Sequence, residues 1–265
     1  MEKEMKIVLA TLIVVFIVVA FYFAFLKVGF DVWKAKASIA SKKGLVLELK
    51  FDNIDEYTYD SSGKNNQVNI SAMKVYGQAC FSGGCLSIDG LNDSVEIQPL
   101  GLLEDLTDDG KSWAFSLMFK PSGLPRQGKP GYILFRQGWH GGLYYNLQGV
   151  YGGTLWLTND TNKTQPNKAI GLGSGGLKLE VVKWYHLAMV LDGEKKEAKL
   201  YLDGKQVGST LNLSTGLPMK DYGKARYYVG GAAGAYDAYG MFDNVRIYDR
   251  VLSDEEVSVL ARWHS

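Results

Sequence analysis

From Gly44 onward the chain alternates apolar and polar residues in short runs broken by turn dipeptides. In LVLELKF, residues 45–51, the side chains of Leu45, Leu47, Leu49 and Phe51 recur with a period of two, the signature of a half-buried strand. SWAFSLMFK, residues 112–120, repeats that pattern with Trp113, Phe115, Leu117 and Phe119. WYHLAMVLDG (184–193) leads into KKEAKLYLDGK (195–205), where Ala198, Leu200 and Leu202 share a face. Asp192-Gly193 and Asp203-Gly204 bracket that second strand and predict hairpin turns. RYYVGG (226–231) and MFDNVRIYD (241–249) predict two more strands. Regular short strands separated by turns predict an all-β sandwich or barrel rather than a βαβ fold.

Two segments break the strand pattern. Ser253-Asp254-Glu255-Glu256 has a hydroxyl at the N-cap and Glu three residues on, followed by Val257, Leu260 and Ala261 at helical spacing. This capping box predicts a short helix closing one end of the sandwich. At the other terminus, Ile7 to Leu26 is a run without a charge, about the 20 residues a bilayer-spanning helix needs. It is longer than a signal-peptide core, and the A-x-A triplet at Ala35-Lys36-Ala37 lies well beyond it. The expected organisation is therefore a short tail at 1–6, a transmembrane α-helix at 7–26, a juxtamembrane stalk at 27–43 and one large domain at 44–265.

Composition narrows the function classes. With 29 Lys+Arg against 28 Asp+Glu the net charge is +1, so no basic surplus favours nucleic acid as a partner. Gly-bounded segments rich in the chain's 16 Tyr, 11 Phe and 6 Trp favour strands and turns over helices. The only cysteines, Cys80 and Cys85, bracket Phe-Ser-Gly-Gly, a hairpin-like turn across which a disulfide can form, and disulfides persist in oxidising compartments. Sequons at Asn69, Asn92, Asn159, Asn162 and Asn212 point the same way. The lysine-rich flank at Lys27, Lys34, Lys36, Lys42 and Lys43 taken alone would hold the domain in the cytoplasm, but long domains are translocated largely regardless of such charge. Together these features predict a single-pass membrane protein touching lipid through its helix, with the C-terminal domain on the cell surface.

Seven segments occur in an order that carries a family resemblance: GLVLELKFD, DSSGKNN (60–66), CLSIDGLNDSVEI (85–97), WAFSLMFKP (113–121), KWYHLAMVLDG (183–193), AKLYLDGKQVG (198–208) and FDNVRIYDRVLSDEEV (242–257). Over residues 44–262 the chain resembles the laminin-G-like, concanavalin A-like lectin domain. The resemblance implies a two-sheet antiparallel jelly-roll sandwich that binds a glycan or a protein, often with one calcium ion, and catalyses nothing.

The residues bear on that implication one by one. Retaining glycosidases of this sandwich need two carboxyls about 5–5.5 Å apart, and no strand here shows the Glu-x-Asp-x-x-Glu spacing that supplies them. His186 lies inside a predicted strand, His264 is terminal, and His140 has no Ser or Cys elbow near it, so a nucleophilic triad has no basis. A metal site has more. Asp243 alternates with Val245 and Ile247, and a carboxylate on a core face needs a cation or hydrogen-bond donors. Hard oxygen ligands suit a structural Ca²⁺. The resemblance places Asp243 opposite the first-strand loop of Asp52, Asn53 and Asp60, with Asp93 as a further candidate, unless Arg246 or Arg250 pairs with Asp243 instead. Asp60 and Asp93 alone also read as Asx-turn residues.

For ligand contact the candidates are the loop and edge aromatics Trp139, His140, Tyr145, Tyr151, Tyr236 and Tyr239, whose faces can stack on sugar rings. Packing within the sheets competes for the same side chains, and Trp113 and Trp184 are expected in the core. The expected function is a non-catalytic, lectin-like module for a glycan or glycosylated partner. The competing readings are a self-associating structural subunit of an extracellular assembly and a glycoside hydrolase of the same fold.

Overall fold

The computed structural model describes residues 15–29, 32, 42–52, 60–91, 93–98, 106, 110–126, 128–136, 141–158, 168–213, 217–218, 226–231 and 236–262. In chain order the strands are β1 (Leu45–Leu49), β2 (Gln67–Ser71), β3 (Met73–Tyr76), β4 (Gly84–Asp89), β5 (Ser94–Gln98), β6 (Trp113–Pro121), β7 (Gly131–Arg136) and β8 (Gly141–Tyr145). There follow β9 (Val150–Thr158), β10 (Lys168–Lys178), β11 (Tyr185–Asp192), β12 (Glu197–Leu202), β13 (Lys205–Asn212), β14 (Leu217–Pro218), β15 (Tyr227–Val229) and β16 (Tyr239–Tyr248). They form two eight-stranded antiparallel sheets, the expected jelly-roll sandwich. Sheet A runs β13-β12-β11-β6-β16-β4-β3 with β1 also on β16, and sheet B runs β10-β9-β8-β7-β15-β5-β2 with β14 on β9.

The core lies between the inward faces of the two sheets. Trp113 and Phe115 stack at 4.4 Å on sheet A, and Phe115 meets Tyr227 of sheet B edge-on at 6.1 Å. The expected turn at Asp203-Gly204 forms between β12 and β13, with both residues at positive φ (49° and 78°), as a type I′ hairpin requires. Glycine meets that demand without strain at Gly204, and Asp is among the side chains that tolerate it.

Sheet A departs from simple alternation. β6 and β11 are buried along nearly their whole length, on both faces. The second covering is the C-terminal helix α2 (Asp254–Leu260; α1 is residues 15–29), capped as expected by Ser253 and Glu256. Val257 and Leu260 of this helix pack with Leu45, Ala114, Ala188, Val190, Tyr201 and Tyr248, the outward side chains of sheet A. The helix lies over a sheet face rather than closing an end of the sandwich. The small Ala114 and Ala188 on neighbouring strands leave room for it.

The membrane expectation is overturned. Among the described residues α1 spans residues 15–29. No helix among the described residues is long and apolar enough to cross a membrane. Residues 7–14 of the apolar run lie outside the described residues, as do 30–31 and 33–41 of the proposed stalk. The expectation of a single-pass membrane protein, with lipid contact through its helix and a cell-surface domain, is therefore corrected.

Candidate functional site: an aromatic band and a clamped carboxylate

On sheet B, the side chains that point away from the core form a connected band. Ring centroids of Tyr144 (β8) and Tyr132 (β7) are 6.3 Å apart, those of Tyr132 and Phe135 4.8 Å, and Phe135 stacks on Tyr228 (β15) at 5.4 Å and 20°. The register explains this order, because Tyr132 pairs with Tyr144, and Tyr228 lies between Phe135 and Glu96 of β5. Three neighbouring strands at 4.7–4.9 Å spacing set the rings of the band about 9–10 Å apart from end to end. Glycines keep it low. A Cβ on Gly152 would lie 2.9 Å from the Tyr144 ring and hydroxyl, and one on Gly142 would strike Phe135.

The band ends in polar groups. The Tyr228 hydroxyl donates to Glu96 Oε2 at 3.4 Å, and Arg226 meets Glu96 Oε1 at 2.7 Å. At the other margin Tyr236 lies edge-on to Tyr132 at 5.5 Å, with the Lys129 ammonium 4.9 Å above its ring. The Tyr132 N–H donates to the Tyr236 carbonyl at 2.8 Å, so backbone pairing holds that margin to β7. Burial raises the phenol pKa of Tyr132 and of Tyr228, neighbouring Tyr236 and Tyr144 adding to the first and Glu96 to the second. Both therefore remain neutral hydroxyls at ordinary pH.

A second constellation surrounds Asp243 at the far side of sheet A. The expected disulfide Cys80–Cys85 is formed and closes a tight loop before β4. Within it, the Ser82 N–H and hydroxyl both donate to Asp243 Oδ2, at 2.9 and 3.3 Å, while the Asn244 N–H donates to Oδ1 at 2.6 Å. Gly84 N–H donates to Asp52 Oδ1 at 3.1 Å in the same loop. Burial pushes the Asp243 carboxyl up to about 7, the nearby Asp52 carboxylate pushing in the same direction against the hydrogen bonds from Ser82 and Asn244. Arg246 does not pair with Asp243; it binds Glu48 Oε1 and Asn244 Oδ1, each at 2.9 Å.

Asp243 does not share a face with Val245 and Ile247, as strict alternation implied. The pairing of β16 with β6 shifts register between Asp243 and Arg246, and Asn244 has φ of 48°. This bulge puts Phe242, not Asp243, in the core with Val245 and Ile247, where it meets Phe119 at 4.8 Å. Asp243 is turned outward and buried under the disulfide loop.

Among the other expected metal ligands, Asp60 is saturated by five hydrogen bonds, from the Glu48, Ser62 and Asn66 N–H groups, the Ser62 hydroxyl and the Asn66 amide. It ties the 60–66 turn to β1. Asp93 accepts the Asp89 N–H in the β4–β5 hairpin. Asn53 lies outside the described residues. Among the described residues, no three His, Cys, Asp or Glu side chains come together as a metal would need. What converges is Asp52, Asp243 and the Ser82 hydroxyl.

The expected ligand aromatics divide. Tyr145 and Tyr151 are core residues, 1% exposed, so neither can stack on a ligand. Tyr151 donates to the carbonyls of Ala188 and Tyr201, and Tyr145 exchanges hydrogen bonds with the backbone of Tyr239. Tyr239 carries the Arg126 guanidinium 3.8 Å over its ring. Tyr236 alone joins the band. Trp139 and His140 lie outside the described residues. Trp113 is in the core, whereas Trp184 is half-buried between Phe81 and Lys120. Sequence reasoning missed Tyr132, Phe135, Tyr228, Glu96 and Arg226. Strand parity within RYYVGG was the available signal for Tyr228, but in GYILFR the register shift between Tyr132 and Leu134 puts Tyr132 and Phe135 on one face against strict alternation.

His186 bonds Ser116 Oγ through Nε2 at 2.9 Å, an arrangement with the look of a nucleophile and base. Both are at most 2% exposed, and burial, with Arg246 nearby, lowers the His186 pKa to about 3. The pair is sealed from any substrate and serves the sheet.

Comparisons with known proteins agree on the fold. Residues 89–258 match the profile of the concanavalin A-like lectin/glucanases superfamily. Domain 4 of AbnA, a GH43 extracellular arabinanase of Geobacillus stearothermophilus solved with arabinotriose, is similar with a TM-score of 0.61 at 18% identity, over 83% of this chain and 99% of that one. The binding domain of Paraclostridial Mosquitocidal Protein 1 gives 0.64 at 16% identity, over 83% and 52%. The binding domain of botulinum neurotoxin DC, solved with SialylT, gives 0.59 at 13% identity, over 84% and 52%. The chain thus spans about half the length of those toxin domains. A comparison with curated protein sequences found no match.

Proposed function

The chain belongs to the concanavalin A-like lectin/glucanases superfamily, and from that premise we propose that its sandwich is a non-catalytic binding module for a carbohydrate or a glycosylated partner. The observation that supports this reading is the continuous outward band Tyr144–Tyr132–Phe135–Tyr228 on sheet B, partly exposed at Tyr144, Tyr132 and Phe135 and buried at Tyr228. Aromatic faces present polarisable apolar area to the C–H faces of a sugar, at low cost in side-chain entropy. Three adjacent strands hold the rings in place before ligand arrives, which reduces the ordering cost of binding. That two similar structures were solved with arabinotriose and SialylT supports a glycan as the class of ligand. The test is binding of the purified chain to a glycan array. Tyr132→Ala should remove retention, and unchanged retention would sink the reading.

The Asp52–Asp243 pair is the proposed position for calcium. Two adjoining carboxylates, one of them exposed Asp52, form an incompletely neutralised anionic pair with the Ser82 hydroxyl beside it. These three are fewer than the six to eight oxygens calcium takes, so backbone carbonyls or water would supply the rest. Its chemistry there would be structural, joining the β1 end of the chain to β16.

A further inference from the structure

We infer that the Tyr228–Glu96–Arg226 cluster is the specificity end of the aromatic band, reading a vicinal pair of hydroxyls on the bound sugar. This rests on the glycan reading of the band and adds what the rings cannot do. Stacking gives affinity but little discrimination, because every pyranose or furanose presents C–H groups. Discrimination needs donors and acceptors fixed in direction.

The cluster has that form. Glu96 accepts from Arg226 at one oxygen and from Tyr228 at the other, and a carboxylate accepts about four hydrogen bonds, so each oxygen keeps a lone pair for a ligand. Arg226 is 44% exposed in its side chain and Glu96 23%, so both are reachable from solvent. The guanidinium has five N–H donors in a rigid fork and uses part of them on Glu96. One ligand hydroxyl can therefore donate to Glu96 while its neighbour accepts from Arg226. Tyr228 joins the two halves, since its ring stacks on Phe135 and its hydroxyl fixes the carboxylate. The antiparallel register pairs Tyr228 directly with Glu96, so strand pairing places two of the three groups, and Arg226 immediately precedes β15.

The same geometry argues against an apolar protein surface as the occupant. Covering this ion pair with aliphatic side chains would strip water from three polar groups and return no hydrogen bonds, a cost a hydroxylated ligand avoids.

The experiment is calorimetric titration of the full chain with neutral trisaccharides of arabinose, xylose, glucose and mannose. Each is compared with analogues lacking one hydroxyl of a terminal vicinal pair. The best trisaccharide should bind about tenfold more tightly than its deoxy analogue. Glu96→Gln and Arg226→Gln should each erase that preference while the melting temperature is unchanged. Tyr132→Ala should weaken every sugar by a similar factor and leave the preference intact. A preference that survives both polar substitutions overturns the specificity assignment and leaves the band standing. Absence of binding by all the trisaccharides, or indifference to Tyr132→Ala, overturns the glycan reading and this assignment with it.

Discussion

The backbone N–H of Ser82 donates to the carboxylate of Asp243, 161 residues further along the chain, at 2.9 Å. The donor sits inside the ring closed by Cys80–Cys85, and the acceptor sits at the bulge of the strand that pairs with β1, β4 and β6. A short local crosslink thus sets the geometry of a long-range buried contact.

Opening that ring should destabilise the sandwich beyond the entropy of a small loop. Replacing Cys80 and Cys85 together by serine should lower Tm by roughly 5 °C or more. Dithiothreitol should do the same to the wild-type chain and nothing further to the variant. Equal melting of the two proteins would show that the loop holds Asp243 without its disulfide.

Stability should depend on pH through two buried groups of opposite sign. Asp243 is held up to about 7 from an ordinary value near 3.8, so its contribution is complete below pH 4 and is lost as pH rises through 7. His186 is held down to about 3 from 6.5, so its contribution is complete above 6.5 and is lost as pH falls toward 3. Between pH 4 and 6.5 the two trends oppose each other. Without metal, Asp243→Asn should expose the histidine limb as a falling Tm on acidification, and His186→Gln the carboxylate limb as a falling Tm on raising pH. Each slope has an upper bound of about 1.4 kcal/mol per pH unit.

Calcium at Asp52–Asp243 should compete with the proton on Asp243. Titrating Ca²⁺ into the EDTA-treated chain at pH 7.5 should raise Tm to a plateau, about 2.7 kcal/mol of stability at a hundredfold excess over Kd. The gain should shrink toward pH 5 and vanish in Asp243→Asn. Superimposable melts in EDTA and Ca²⁺ at pH 7.5 would dispose of the calcium proposal.

The buried pair Arg246–Glu48, with Arg246 also bonded to Asn244, spans β16 and β1. Glu48→Ala would leave a guanidinium 2% exposed without its countercharge, a loss of about 3–5 kcal/mol measurable by urea denaturation. Glu48→Gln, which keeps an acceptor in place, should lose less.

The glycines under the band offer a test that separates binding from folding. Gly152 has no positive φ, and a Cβ there meets only the far end of the Tyr144 side chain at 2.9 Å before reaching the Leu172 carbonyl at 3.2 Å. Gly152→Ala should therefore shift Tm by only a few degrees while tilting Tyr144 out of line. Glycan affinity should fall several-fold in the same protein, read by titration.

What the sequence determined by itself was local. Alternation in 112–120, the turn at Asp203-Gly204, the Ser253–Glu256 cap and the Cys80–Cys85 spacing each depend on neighbours within a few residues, and each is formed in the structure. In 45–51, by contrast, a register shift between Leu45 and Leu47 turns Leu45 to the outer face, and the strand ends at Leu49. What it left open was which side of a strand is the inside. Tyr144 and Tyr145 are adjacent tyrosines, as are Tyr227 and Tyr228, and in each pair one points to the core and the other to the band. A period of two says that they differ without saying which is which, and the register with β9 and β5 decides it. The bulge at Asn244 inverts the parity before it, so Asp243 was assigned to the wrong face by a rule that holds for unbroken strands. The covering of sheet A by α2 likewise depends on Ala114 and Ala188 meeting across strands far apart in sequence. Each of these is a consequence of non-local pairing, which side-chain order along the chain does not encode.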